Sequence, residues 1–243
     1  KLRFSNTSGS SGRSLIFAED KKSVNYKYAS KLRSRYLINK KVGDKIIRFT
    51  PNENQACLRN GIHKKLKIPE FLTDKKNIYQ HFYTFLEHGI VNPVLHRRKV
   101  LTPLKNEWKW KDFVEYIDKI KSYKPEVLTI NPHYIYFLAK YIEKNNRNYN
   151  FNYSVDLTGG LSTKKLRNYV KEVMKVPVKQ IYGSSEFGRI AAECCFSDGY
   201  MHILEGIYYV EFVNDSGKDT EPLEKAKLIV TALTNYAAPF LRY

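Results

Sequence analysis

The stretch "YSVDLTGGLSTKKLRNYVKEVMKVPVKQIYGSSE", Tyr153 to Glu186, decides the fold. "YSVDLT" is a short run of strand character, and Gly159-Gly160 turns the chain behind it. Ser162 can cap a following helix that carries Leu166, Val170 and Val173 on one face. Pro177 breaks that helix, and "VKQIY" reads as a second strand. Strand, helix and strand within about 30 residues is the size of a parallel crossover. Ligands of such units gather at the carboxyl ends of the strands, where both "TGG" and "YGSSE" fall.

Upstream, the same alternation of helices and short apolar strands points to an α/β architecture. "SVNYKYASKLRSRYLI" reads as a helix with Tyr28, Leu32 and Tyr36 on one side, and "KIIRF" as a strand closed by Pro51. "WKDFVEYIDKIKSY" aligns Phe113, Ile117 and Ile120 and is stopped by Pro125. "EVLTI" is a buried strand, and Asn131-Pro132 is a good helix start. The next helix aligns Ile135, Leu138, Ala139 and Ile142, a stripe that reads as core and not as a base-stacking platform. Downstream, "IYYVEFV", the turn "NDSG" and "KLIVTAL" read as an antiparallel region. The expected division is an α/β core over residues 1–200 and an antiparallel subregion of the same large domain over 201–243.

The chain has 243 residues, 42% of them hydrophobic, with 13 Phe and 19 Tyr, which is ample for a core and argues against disorder. No apolar run approaches the roughly 20 residues of a membrane span. The opening "KLRFSNTSG" has neither a Met nor a signal-peptide pattern, and suggests a chain that begins mid-strand. Three cysteines, Cys57, Cys194 and Cys195, make no disulfide framework, so a reducing cytoplasm is the expected compartment. With 42 Lys+Arg against 24 Asp+Glu, the net charge of +18 would attract polyanions. The basic residues are scattered among acids, as in "WKWKDFVEYIDKIKSYK", which reads as a solvated surface. A basic nucleic-acid-binding protein stays as an alternative without a recognised motif.

Two stretches carry chemistry. In "TSGSSGR" the backbone at Gly9 and Gly12, the hydroxyls of Thr7, Ser8, Ser10 and Ser11, and the cation of Arg13 can cradle a phosphate. It is not a Walker A loop, and taken alone such a Ser/Gly run reads as a linker. In "YGSSEFG" the ring of Tyr182 can stack on a flat base, and Gly183 lets the backbone approach. Ser184 and Ser185 offer hydroxyls, and Glu186 a carboxylate of the kind that holds Mg²⁺ beside phosphate oxygens.

In order along the chain, "TSGSSG", "TGG", "YGSSEFGRIAAEC", "GYMHI" and "TALTNYAAPFLRY" resemble adenylate-forming enzymes. More narrowly, they resemble the phenylacetate–coenzyme A ligase-like branch, which includes capsular polysaccharide biosynthesis-type proteins. The resemblance runs from residue 4 to 243 and implies a large N-terminal domain of mostly parallel sheets flanked by helices, with a smaller antiparallel region. It further implies that Thr7 to Gly12, with Arg13, bind the β- and γ-phosphates of ATP, and that Gly159 and Gly160 line the adenine site. Tyr182 and Gly183 would meet the adenine, and Ser184 and Ser185 the α-phosphate or acyl carboxylate. Glu186 would hold Mg²⁺, and Arg242 would belong to a ribose-side motif that begins at "PFLRY". The implied reaction joins a small carboxylic acid to ATP as an acyl-adenylate, then passes the acyl group to coenzyme A or a carrier thiol.

Ser14 and Leu161 depart from the family pattern, so a catalytically inactive relative serving as a scaffold is a further alternative. The resemblance also implies a domain incomplete at both ends, lacking the C-terminal catalytic-lysine domain and poor in adenylation. One constellation stands apart: Glu193, Cys194, Cys195 and His202 lie close in sequence, and Cys and His are zinc ligands. A structural site takes four ligands, and Cys57 is the one other cysteine, so "AAECC" reads first as a strand packing its thiols.

Overall fold

Each apolar strand face and each helix stripe has to be covered, and a chain that alternates the two covers them by laying helices on a sheet. The computed structural model describes residues 2–7, 15–41, 43–49, 98–101, 110–145, 149, 151–197 and 199–243. In chain order it contains β1 (Arg3–Asn6), β2 (Ile16–Glu19), α1 (Lys21–Leu37), β3 (Ile46–Phe49), β4 (Arg98–Leu101) and α2 (Trp110–Tyr123). There follow β5 (Val127–Ile130), α3 (Pro132–Lys144), β6 (Ser154–Leu157), α4 (Lys164–Met174) and β7 (Val178–Ser184). The chain closes with β8 (Gly188–Glu193), β9 (Met201–Ile203), β10 (Tyr208–Val213) and β11 (Lys227–Ala232). Two compact units emerge: a parallel-sheet unit, Lys40–Lys179, and a hairpin unit, Lys1–Asn39 with Gln180–Tyr243. Among the described residues no helix is long and apolar enough to cross a membrane.

In the parallel-sheet unit β4, β3, β5 and β6 lie side by side in that order, all parallel. Every residue of β5 is buried, as befits a parallel strand covered on both faces. Phe113, Ile117 and Ile120 of α2 and Ile135, Leu138, Ala139 and Ile142 of α3 enter one core with Leu128, Val155, Leu157 and Val170. The expected stripes are therefore the buried ones. Asn131 starts α3, its Oδ1 accepting the His133 N–H at 2.9 Å ahead of Pro132 at the first turn.

The start of α4 differs from expectation. Its cap is Thr163, whose Oγ1 accepts the Leu166 N–H at 3.2 Å, while Ser162 is buried and its carbonyl accepts the Arg167 guanidinium at 2.8 Å. The helix ends on left-handed Lys175 (φ 54°), two residues before Pro177. Its buried residues are Arg167, Val170 and Met174, with Val173 only partly covered. Deep in this unit the ammonium of Lys40 pairs with the carboxylate of Asp156, and both side chains are almost wholly buried.

In the hairpin unit the helix α1 forms where expected but turns its other face inward. Tyr28, Leu32 and Tyr36 lie on the exposed side, Tyr36 at 82% exposure, and the buried residues are Ser23, Ser30 and Ser34. Close approach to β8 explains the choice. The Ser30 hydroxyl donates to the Arg189 carbonyl at 2.8 Å, and the Ser34 hydroxyl accepts from the Arg189 guanidinium at 2.5 Å. A tyrosine at either position would hold helix and strand apart. β1 and β2 form an antiparallel hairpin, β7, β8 and β9 pair antiparallel in turn, and β10 and β11 form the expected antiparallel pair from Tyr208↔Ala232 to Val213↔Lys227. Phe187, Ile190, Tyr208 and Val230 make the core beneath them, with Phe240 packed against it.

Candidate functional site

The turn between β7 and β8 is built around two glycines. A Cβ on Gly183 would lie 1.9 Å from the Gly188 carbonyl oxygen, so no other residue fits without moving the backbone. The register slips between Tyr182 and Gly183, and Gly188 closes the turn at φ +80°. The result sorts the motif by direction. Tyr182, Gly183, Ser184 and Ser185 are exposed, whereas Glu186 and Phe187 are buried. An aromatic face and two hydroxyls thus stand open to a ligand beside an inward carboxylate.

Glu186 is held at both ends. Its backbone carbonyl accepts a hydrogen bond from the Lys27 ammonium, and its Oε1 accepts one from the Tyr243 phenol at 3.1 Å. That bond to the carboxylate, more than loss of water, pushes the Tyr243 phenol above its ordinary pKa. Tyr243 is itself pinned, its N–H donating to the Val230 carbonyl at 3.1 Å and its carbonyl accepting the Val230 N–H at 3.0 Å. Among the described residues no donor meets Oε2 of Glu186. A carboxylate so placed fits a hard cation such as Mg²⁺.

The other expected site residues are placed as follows. Thr7 directly follows β1: its N–H donates to the Leu15 carbonyl and its Oγ1 accepts the Leu15 N–H, each at 2.9 Å. Ser8, Gly9, Ser10, Ser11, Gly12 and Arg13 lie outside the described residues, as does Ser14. Arg242 has left-handed backbone (φ 47°), and its guanidinium pairs with Glu211. In the parallel-sheet unit Gly159 turns the chain at φ +77°, and a Cβ on Gly160 would press on Asn131 Nδ2 at 3.2 Å and Pro132 Cδ at 3.3 Å. Asn131 Nδ2 donates to the Gly159 carbonyl at 2.7 Å, so the residue that caps α3 also fixes the glycine turn after β6.

Among the described residues the zinc constellation does not assemble. Glu193 is buried and engaged, accepting the Gln180 and Gly199 N–H groups at 2.6 Å each. Among the described residues no three His, Cys, Asp or Glu side chains converge on a metal position, and Cys57 lies outside them. Instead, hydrogen bonds from the Ser197 side chain, first, and then from His202 lower the Cys194 thiol to a pKa of about 6. Cys195 is exposed. The sequence gives no signal for Lys27 or Glu19, and Tyr243 enters it only as the last residue of "PFLRY", with no role of its own. Lys27 and Glu186 are 159 residues apart, and no local pattern marks such a pairing.

No family model matches the chain, and no curated protein matches it significantly. Solved structures do. It superposes on a 2-hydroxyisobutyryl-CoA ligase in complex with 2-HIB-AMP and CoA at a TM-score of 0.67 and 14% identity, covering 99% of this chain and 46% of that one. An anthranilate CoA ligase in complex with anthranoyl-AMP matches at 0.62 and 14%, covering 97% and 40%. A long-chain-fatty-acid-CoA ligase from Archaeoglobus fulgidus matches at 0.62 and 12%, covering 98% and 43%. The chain therefore shares its mixed α/β fold with these acyl- and aryl-CoA ligases. The chain spans less than half the length of these structures.

Proposed function

We propose that the chain is the nucleotide-handling part of an ATP-dependent, carboxylate-activating CoA ligase of the phenylacetate–CoA ligase-like branch, working in the cytoplasm. The observation that carries this reading is the β7–β8 turn, where exposed Tyr182, Ser184 and Ser185 stand beside inward Glu186. A fold shared with CoA ligases supports it.

In the proposed reaction an oxygen of the substrate carboxylate attacks the α-phosphorus of ATP and pyrophosphate leaves. The sulfur of coenzyme A then attacks the acyl carbonyl and AMP leaves. Tyr182 stacks on the adenine, and Gly183 lets the nucleotide approach the backbone. Ser184 and Ser185 hydrogen-bond the α-phosphate, Thr7 to Arg13 engage the β- and γ-phosphates, and Arg242 lies on the ribose side. Glu186 would hold Mg²⁺, which when bound neutralises charge on the phosphate oxygens. The chain's own contribution is position and preorganised charge.

Calorimetry with ATP and Mg²⁺ tests the reading. The wild-type chain is expected to bind, and Glu186→Ala to lose the magnesium-dependent part of that affinity. A wild-type chain that folds and binds no nucleotide would sink it. A pyrophosphate-release screen of carboxylic acids, with and without coenzyme A, then identifies the substrate.

A further inference from the structure

Beneath the β7–β8 turn runs a chain of contacts that the proposed reaction does not use. The Ser5 hydroxyl, on β1, donates to Glu19 Oε2 at 2.6 Å. Glu19, on β2, pairs through Oε1 with the Lys27 ammonium of α1 at 2.5 Å. Lys27 then donates to the Glu186 carbonyl. The side chains of Lys27 and Glu19 are 17% and 6% exposed. The ammonium lies 5.1 Å from the centre of the Phe17 ring. The stem of Lys27 passes under Gly188, where an added Cβ would sit 3.8–3.9 Å from its Cβ, Cγ and Cδ.

As a stabilising device such a pair is poor, because stripping water from both ions offsets much of their attraction. What it does well is fix a geometry. The ammonium has a carboxylate on one side, an aromatic ring on another and a peptide carbonyl ahead, so the Glu186 backbone is tied to two strands and a helix. A carboxylate that meets a cation needs its peptide held in this way, as outer contacts orient the ligands of metal sites generally.

We infer that Lys27, locked by Glu19, is a positioning residue that holds Glu186 for a nucleotide-bound divalent cation. The inference rests on the proposed role of Glu186. Lys27 touches no reacting atom; it acts through the Glu186 peptide.

The test is calorimetry of ATP with and without Mg²⁺ on wild type, Lys27→Met, Lys27→Arg and Glu19→Gln, each checked for a cooperative melt. Glu19→Gln keeps the shape of the pair and serves if Lys27→Met does not fold. The expected result is a loss of about 10- to 100-fold in ATP affinity with Mg²⁺ in Lys27→Met and Glu19→Gln. Metal-free ATP affinity stays at the wild-type value, and Lys27→Arg recovers part of the loss. Folded variants that bind Mg²⁺ and ATP as wild type does would overturn the inference and leave the proposed function standing. Equal losses with and without Mg²⁺ would also overturn it, since they mark a merely structural role. A wild type without magnesium-dependent binding would overturn both.

Discussion

Asp156→Ala should be a severely damaging single change in the parallel-sheet unit. Asp156 sits in β6 with no exposed surface, and Lys40, its partner, is 6% exposed. Removing the carboxylate strands the Lys40 ammonium in the core, where an unpaired charge costs about 3–5 kcal/mol. That is about 2 to 3.5 powers of ten in the folding equilibrium. It is a large share of the ~5–15 kcal/mol that holds a domain together. Lys40→Met alone should cost a similar amount by stranding Asp156. The pair Lys40→Met/Asp156→Leu should restore most of the loss, because it removes the desolvation cost with the charges. The assay is denaturant unfolding of the four proteins, read as a double-mutant cycle. Strict additivity, or a loss below about 1 kcal/mol in Asp156→Ala, would refute the reasoning. Asp156 also lies two residues ahead of the Thr158-Gly159-Gly160 turn, so the single variants should disturb that turn as well.

Other expectations follow from local geometry. Gly183→Ala drives a Cβ to 1.9 Å from a backbone oxygen and should remove the β7–β8 turn, seen as a lowered melting temperature and lost ATP binding. A variant that melts like wild type would contradict this. Asn131→Ala removes the α3 cap and the bond to the Gly159 carbonyl and should cost about 1–2 kcal/mol in denaturant unfolding. Asn131→Asp keeps the cap acceptor but not the bond to Gly159, and should fall between. Cys194, with its thiol at about 6, should be mostly thiolate at neutral pH. Its iodoacetamide labelling should therefore fall by half near pH 6 as protons return, and Ser197→Ala should move that midpoint upward; a midpoint near 9 in wild type would refute the assignment.

Much of the fold was legible because the signals were local. Phe113, Ile117 and Ile120, and Ile135, Leu138, Ala139 and Ile142, recur at the helical period, and a helix has one way to bury such a stripe. Asn131-Pro132 announced a helix start for the same reason: cap and first turn are neighbours in sequence. Helix α1 shows where that logic stops. Its tyrosines and leucine mark a stripe, yet Ser23, Ser30 and Ser34 are the buried face, because the helix lies too close to β8 for larger side chains. The shift of the α4 cap from Ser162 to Thr163 is smaller, since either hydroxyl could serve until Arg167 engaged Ser162.

The candidate site divides in the same way. From the sequence alone came the strand–helix–strand unit, the two glycine turns at strand ends, and the run of aromatic, glycine, hydroxyls and carboxylate at Tyr182–Glu186. Backbone demands confined to a few residues dictate these features, as the Gly183 contact shows. Tertiary structure alone decided which way each side chain points and what holds it. It turned Glu186 inward between Lys27 and Tyr243, set Arg242 on Glu211, engaged Glu193 with the Gln180 and Gly199 N–H groups, and placed Asn131 on the Gly159 carbonyl. Those partners lie up to 159 residues apart, and a hydrogen bond between distant residues exists only once strand register and helix packing have brought its ends within about 3 Å.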